Sequence, residues 1–197
     1  MEDTKVQAKY EAGMNIIFIG FKGCGKTLIG KILADRLKKE FYDIDSIIES
    51  IYRKNTKGYL SFRDIYKKHG GEYFRNLEKK ALERIGGLED SVISLGGGTI
   101  FSDLGFRISD FGFVVYLHVE PDILYERIIK NGIPAFFDSS NPKKSFDTLY
   151  AERLPMYKKL ANIVINNSGD AEETISRILQ ELKNKPLPLP SPLRGED

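Results

Sequence analysis

Short apolar runs alternate along the chain with longer stretches in which apolar residues recur every three to four positions. Asn15 to Ile19, Glu40 to Asp43, Ser91 to Leu95, Phe113 to His118 and Asn162 to Ile165 read as strands. Between and after them, helices are expected over Lys26 to Lys39, Asp45 to Lys54, Ser61 to His69, Glu72 to Ile85, Pro121 to Lys130, Lys144 to Leu160 and Ala171 to Asn184. Alternation of this kind means a parallel sheet with helices packed on it, an α/β fold. No internal repeat is visible. The segment Asn131 to Ser145 has no period; Gly132, Pro134, Asp138, Ser139, Ser140, Asn141 and Pro142 make it read as a mobile loop. Lys185 to Asp197 holds Pro186, Pro188, Pro190 and Pro192, half of the chain's eight prolines, and is expected to be an extended, disordered tail. Met1 to Gly13 is mostly polar or charged. The expected organisation is one domain over 14–184, a flexible lead over 1–13 and a tail over 185–197.

Composition narrows the class without changing that picture. At 197 residues the chain can build one sizeable core. Its net charge of +2 comes from 30 basic and 28 acidic residues spread along its length, which argues against a dedicated nucleic-acid or membrane surface. Any anion chemistry must come from local clusters. The only cysteine, Cys24, excludes an intrachain disulfide and predicts a reducing, cytoplasmic location. Met1 to Gly13 lacks the apolar core of a secretory leader, and the longest apolar stretch, around Phe111 to Val119, is too short to span a bilayer.

The chemistry is concentrated after the first strand. Gly20-Phe21-Lys22-Gly23-Cys24-Gly25-Lys26-Thr27 matches G-x-x-x-x-G-K-[ST], the phosphate-binding loop, and it stands between a strand and a helix as that motif requires. The glycines, with Cys24 between them, let backbone N–H groups converge on phosphate oxygens. Lys26 reaches the outer phosphates, and the Thr27 hydroxyl can ligate Mg²⁺. The motif points to a nucleoside triphosphate. Cys24, at the start of a helix, is either a thiolate open to oxidation or alkylation or a small structural thiol.

Further candidates lie at the ends of later elements. Asp43 and Asp45, two apart, place two carboxylates on one side of the chain, where one could hold a Mg²⁺-bound water and the other a substrate hydroxyl. Arg75 and Glu78 are i,i+3 neighbours near the start of a helix, so the carboxylate can aim a guanidinium fork suited to an organic acid; a surface ion pair is the competing reading. Gly96, Gly97 and Gly98 expose bare backbone at a strand end, either for close approach of a substrate ring or as a plain flexible turn. Arg127 and Arg153 follow on the two late helices.

Taken in order, the phosphate loop, the D-x-D pair, Gly71-Glu72-Tyr73-Phe74-Arg75-Asn76-Leu77-Glu78, Ser94-Leu95-Gly96-Gly97-Gly98 and Arg153-Leu154-Pro155-Met156-Tyr157 resemble the shikimate kinases, from about Asn15 to Ser168. The resemblance implies a three-layer P-loop kinase fold: a five-stranded parallel sheet in the order 2-3-1-4-5, flanked by helices, with a lid at about 131–145. It implies ATP and shikimate as small-molecule substrates, Mg²⁺ as the metal, and a monomer. By the same resemblance, Gly23, Cys24, Gly25, Lys26 and Thr27 serve ATP, and Arg127 packs on the adenine. Thr27 and Asp43 serve the metal, while Lys26 and Asp45 are catalytic. Asp45, Arg75, Arg153 and the Gly96 to Gly98 backbone hold shikimate. One position departs from the family, which usually has a lid arginine directly before its Pro-Leu-Leu; here the chain reads Gly132-Ile133-Pro134. The expectation is that Lys22, Lys143 or Lys144 supplies the missing charge. Two rivals remain: a kinase for another small polyol acid such as gluconate, and a nucleotide-binding pseudo-kinase, which Ile133 in the lid would suit.

Overall fold

The computed structural model describes residues 13–99, 108–134 and 136–185. The lead expected over 1–13 and the tail expected over 185–197 lie, apart from Gly13 and Lys185, outside the described residues.

Each of the apolar runs becomes a strand: β1 (Asn15–Ile19), β2 (Glu40–Asp43), β3 (Ser91–Ser94), β4 (Gly112–His118) and β5 (Ile163–Asn166). They form one sheet in the order β2-β3-β1-β4-β5, and every neighbouring pair is parallel. β1 lies at the centre, with Ile17 in register with Ile93 on one side and Val114 on the other. Its five residues are all buried, as a strand covered on both faces must be. β5 sits on an edge and alternates buried and exposed residues, Val164 facing out.

Six α-helices complete the described fold: α1 (Lys26–Leu37), α2 (Ile44–Thr56), α3 (Phe62–Gly86), α4 (Pro121–Ile129), α5 (Pro142–Leu160) and α6 (Ala171–Asn184). The two helices expected over 61–85 are both present within α3 and meet at a kink at Gly70, whose φ of 79° and ψ of 177° are not helical. Glycine adopts that conformation without a Cβ clash. α5 begins two residues before the expected start, inside the segment read as a loop. There the Asn141 side chain accepts from the Lys144 amide and Pro142 fills the first turn, where its missing N–H costs nothing. Among the described residues, no helix is long and apolar enough to cross a membrane.

The ends of the strands away from the helix starts are tied by a buried asparagine. Asn15 Nδ2 donates to the carbonyls of Leu88 and Phe111, at 2.6 and 3.0 Å, and its Oδ1 accepts from the Ser91 amide at 3.0 Å. The side chain thereby joins the start of β1 to the entrances of β3 and β4. The carboxyl ends of the strands are left to carry loops, and the candidate residues sit there.

Candidate active site

The phosphate loop leaves β1 through Gly20 and turns with φ of 83° at Gly23 and 96° at Gly25, the residue that caps α1. No side chain caps this helix. Its first amides therefore remain for an anion, and the helix dipole favours negative charge at the same point. Gly25 is required for a further reason: a Cβ there would lie 2.5 Å from Nδ2 of Asn167. Lys26 Nζ donates to the carbonyls of Gly20 and Phe21 at 2.9 and 3.1 Å, curling over the loop that it serves. The Cys24 side chain is 1 % exposed and belongs to the core. The burial favours the structural thiol over the reactive one, and the Cys24 amide donates to the Phe21 carbonyl at 3.2 Å.

The D-x-D pair stands beside the loop. Thr27 Oγ1 donates to Asp43 Oδ2 at 2.7 Å, while Asp43 Oδ1 accepts from the Asp45 amide at 3.0 Å and so caps α2. Thr27 and Asp43 present adjacent hard oxygen donors, a set suited to Mg²⁺, which takes one or two protein oxygens and completes its shell with phosphate and water. Among the described residues there is no group of three or more His, Cys, Asp or Glu side chains that would hold a metal without such help. Asp45 is pushed up to about 7, chiefly by burial and next by the Asp43 charge, with Glu78 and Glu49 adding and Lys26 opposing. A carboxyl group so poised can take a proton near neutral pH.

The glycine run after β3 packs between this cradle and α5. A Cβ on Gly97 would lie 3.1 Å from the Lys22 amide nitrogen and 3.3 Å from the Gly20 carbonyl oxygen. From the other side, Arg153 Nη1 and the Tyr157 hydroxyl both donate to the Gly97 carbonyl, at 3.1 and 2.6 Å. Burial pushes the Tyr157 phenol up, so it stays protonated and stays a donor. The Arg153 guanidinium also lies over the Phe21 ring, 5.4 Å from its centre. A Cβ on Gly96 would lie 3.5 Å from an Asp45 carboxylate oxygen. Phosphate loop, glycine run, Asp45 and Arg153 therefore share one neighbourhood.

Arg75 reaches that neighbourhood through Glu78. Its Nη1 donates to Glu78 Oε2, and the Thr99 hydroxyl donates to Glu78 Oε1 at 2.9 Å. The Glu78 side chain is 4 % exposed and that of Arg75 is 52 % exposed. A buried carboxylate thus aims a half-exposed fork, which sets this pair apart from an ordinary surface ion pair. Arg127 is held at the opposite flank of the loop, donating to the carbonyls of Asn167 and Ser168 at 2.9 and 3.1 Å.

Of the three lysines considered for the missing lid charge, Lys143 is paired with Asp147 and lies over the Tyr125 ring, and Lys144 is exposed on the first turn of α5. Lys22 is half-buried in the phosphate loop with its ammonium 5.5 Å from the centre of the Phe136 ring.

Two contributors were given no role in the motif reading. Asn167 is buried; its Nδ2 donates to the Cys24 carbonyl at 2.7 Å and its Oδ1 accepts from the Thr174 hydroxyl at 2.8 Å. It fastens the phosphate loop to β5 and α6. Tyr157 doubles the hold on Gly97. The signal for Asn167 was its place just beyond the carboxyl end of a strand; for Tyr157 it was an aromatic one helical turn after Arg153.

The model of the family described as shikimate kinase matches residues 22–183. A shikimate kinase of Chlamydia pneumoniae is 36 % identical over 152 residues, which cover 77 % of this chain and 85 % of that one. Among solved structures, a shikimate kinase from Acinetobacter baumannii in complex with shikimate superposes with a TM-score of 0.77 at 30 % identity, covering 91 % of this chain and 98 % of that one. The shikimate kinase of Bacteroides thetaiotaomicron gives 0.74 at 27 % identity, covering 87 % and 99 %. The sheet order and the match across most of the length agree, and the chain belongs to the shikimate kinase family.

Proposed function

We propose that the protein transfers the γ-phosphoryl group of ATP to the 3-hydroxyl of shikimate, giving shikimate 3-phosphate and ADP. The observation that carries this reading is Gly97, whose backbone is wedged against the phosphate loop on one side and held by Arg153 and Tyr157 on the other. A triphosphate and a small organic acid would meet across it.

In this reading the amides of Gly23, Cys24, Gly25 and Lys26 receive the phosphates, the Lys26 ammonium neutralises the outer ones, and Arg127 lies beside the base. Thr27 and Asp43 would hold Mg²⁺, which would supply charge to offset that of the phosphates. Arg153 and Arg75 grip the shikimate carboxylate, and the ring rests on Gly96, Gly97 and Gly98. Asp45 accepts the proton from the 3-hydroxyl as its oxygen forms the new bond to phosphorus and the bond from phosphorus to the β-phosphate oxygen breaks. Its raised pKa suits that exchange. Covalent chemistry asks little else of the protein, because orientation and charge stabilisation supply most of the acceleration. The segment over 131–145 serves as the lid that keeps water from the phosphoryl group.

The test is ADP release coupled to a dehydrogenase assay, with purified protein, ATP and Mg²⁺, and with shikimate, gluconate or no acceptor. Shikimate-dependent release well above both other arms is expected. Equal rates in all three, or preference for gluconate, would overturn the assignment, and ATP binding without any acceptor-dependent release would identify a pseudo-kinase.

A further inference from the structure

We propose that Lys22 is a catalytic residue of the phosphoryl transfer: its ammonium contacts and neutralises the phosphoryl group in flight, and the ring of Phe136 positions it. The proposal rests on the kinase reading above.

The placement comes from the backbone. The Lys22 amide lies where the phosphate loop meets Gly97, at the seam between the nucleotide cradle and the glycine run. A side chain leaving that seam has Asp45 of α2 and Arg63 of α3 near enough to act on its charge, in opposite senses. Its ammonium lies over the Phe136 ring. Lys22 thus stands between the proton acceptor, the phosphate cradle and the segment expected to close.

Four other cations of the region have hydrogen-bond partners, while Arg63 lies over the Phe62 ring. Lys26 donates to loop carbonyls, Arg153 to Gly97, Arg75 to Glu78, and Lys143 to Asp147. Among the described residues, Lys22 has no hydrogen bond and no ion pair; the ring of Phe136 is its contact. Burial draws its pKa down and Arg63 acts in the same direction, with Asp45 opposing. An ammonium partly stripped of water with an aromatic face as its partner lacks full compensation. A phosphoryl group carrying spread negative charge on its equatorial oxygens supplies it. The ammonium and the ring together also link the phosphate loop to the segment over 131–145.

Kinetics of the full-length protein test this. Lys22→Met keeps the length of the side chain and removes the charge; kcat is expected to fall about 100-fold, as for loss of one preorganised group at a developing charge, with each KM changing less than about threefold. Lys22→Arg should retain at least about a third of kcat. Phe136→Leu should lower kcat about fivefold in the wild-type background and leave the Lys22→Met variant unchanged, the non-additivity expected of two groups acting as one. A Lys22→Met kcat within about tenfold of wild type, a loss carried by the KM for ATP, or additive effects of the two substitutions would overturn the proposal. A wild-type protein that releases no ADP in response to shikimate overturns the kinase reading instead, which separates the two failures.

Discussion

Asp45→Asn should make the protein more stable and almost inactive. The carboxyl group is pushed up to about 7 from an ordinary 3.8, mainly by burial and then by Asp43. Above pH 7 the folded protein holds this charge at a cost that the unfolded chain does not bear. A displacement of that size corresponds to about 4 kcal/mol, and about half of that is a fair measure for a side chain that keeps an edge open to water. A folded-state pKa above the unfolded value means that the folded protein binds the extra proton between pH 4 and 7, so the Asp45 contribution falls as pH rises through that window. Asparagine has nearly the same shape and no charge. The variant should therefore be more stable than wild type by about 2 kcal/mol at pH 8, with the advantage reduced to about 40 % of that at pH 5. Urea unfolding of both proteins at the two pH values reads this directly, since size and hydrogen-bonding differences cancel between them. Turnover with shikimate at pH 8 should fall by at least about 100-fold, the KM for ATP moving little. An advantage that is equal at both pH values, or a variant less stable at pH 8 than wild type, would refute the reasoning.

Two other perturbations probe separate parts of the site. Arg153→Ala should raise the KM for shikimate by about tenfold or more, the loss of a charge-assisted contact to a carboxylate, while the KM for ATP changes less than about threefold; steady-state kinetics with each substrate varied in turn decides, and an equal rise in both would count against a role in gripping the acid. Asn167→Ala orphans the Cys24 carbonyl and leaves the Thr174 hydroxyl only the Asp170 carbonyl as acceptor, and should cost about 1–3 kcal/mol in urea unfolding together with a raised KM for ATP; an unchanged KM for ATP would show that this side chain does not shape the phosphate loop.

The parts of the fold that could be read from the sequence are those written in local pattern. β1 and β4 are continuous apolar runs because both faces of these strands are covered, and the G-x-x-x-x-G-K-[ST] spacing needs only the strand before it and the helix after it. Arg75 and Glu78 are paired by helical spacing alone. The parts that escaped are held by partners far away in the chain. Asn167 is 143 residues from Cys24 and Tyr157 is 60 from Gly97, and no periodicity registers contacts of that kind. Cys24 was left open between a reactive and a structural thiol for the same reason: its burial, which supports the structural one, is decided by elements packed over it later. The start of α5 was written in the chain, as Asn141 and Pro142, but a cluster of turn-forming residues around them obscured the signal.

Asn15 gives this architecture a spatial division of labour. It meets the entrances of two neighbouring strands with directional bonds, so it helps decide which strand lies beside which. That decision is made about 16 Å, the length of a five-residue strand, from the edge that transfers phosphate. Substitutions of exposed side chains at the catalytic edge leave the Asn15 bonds untouched, because the two lie at opposite ends of the same strands. New acceptor specificities could be tried on the scaffold without rewriting it.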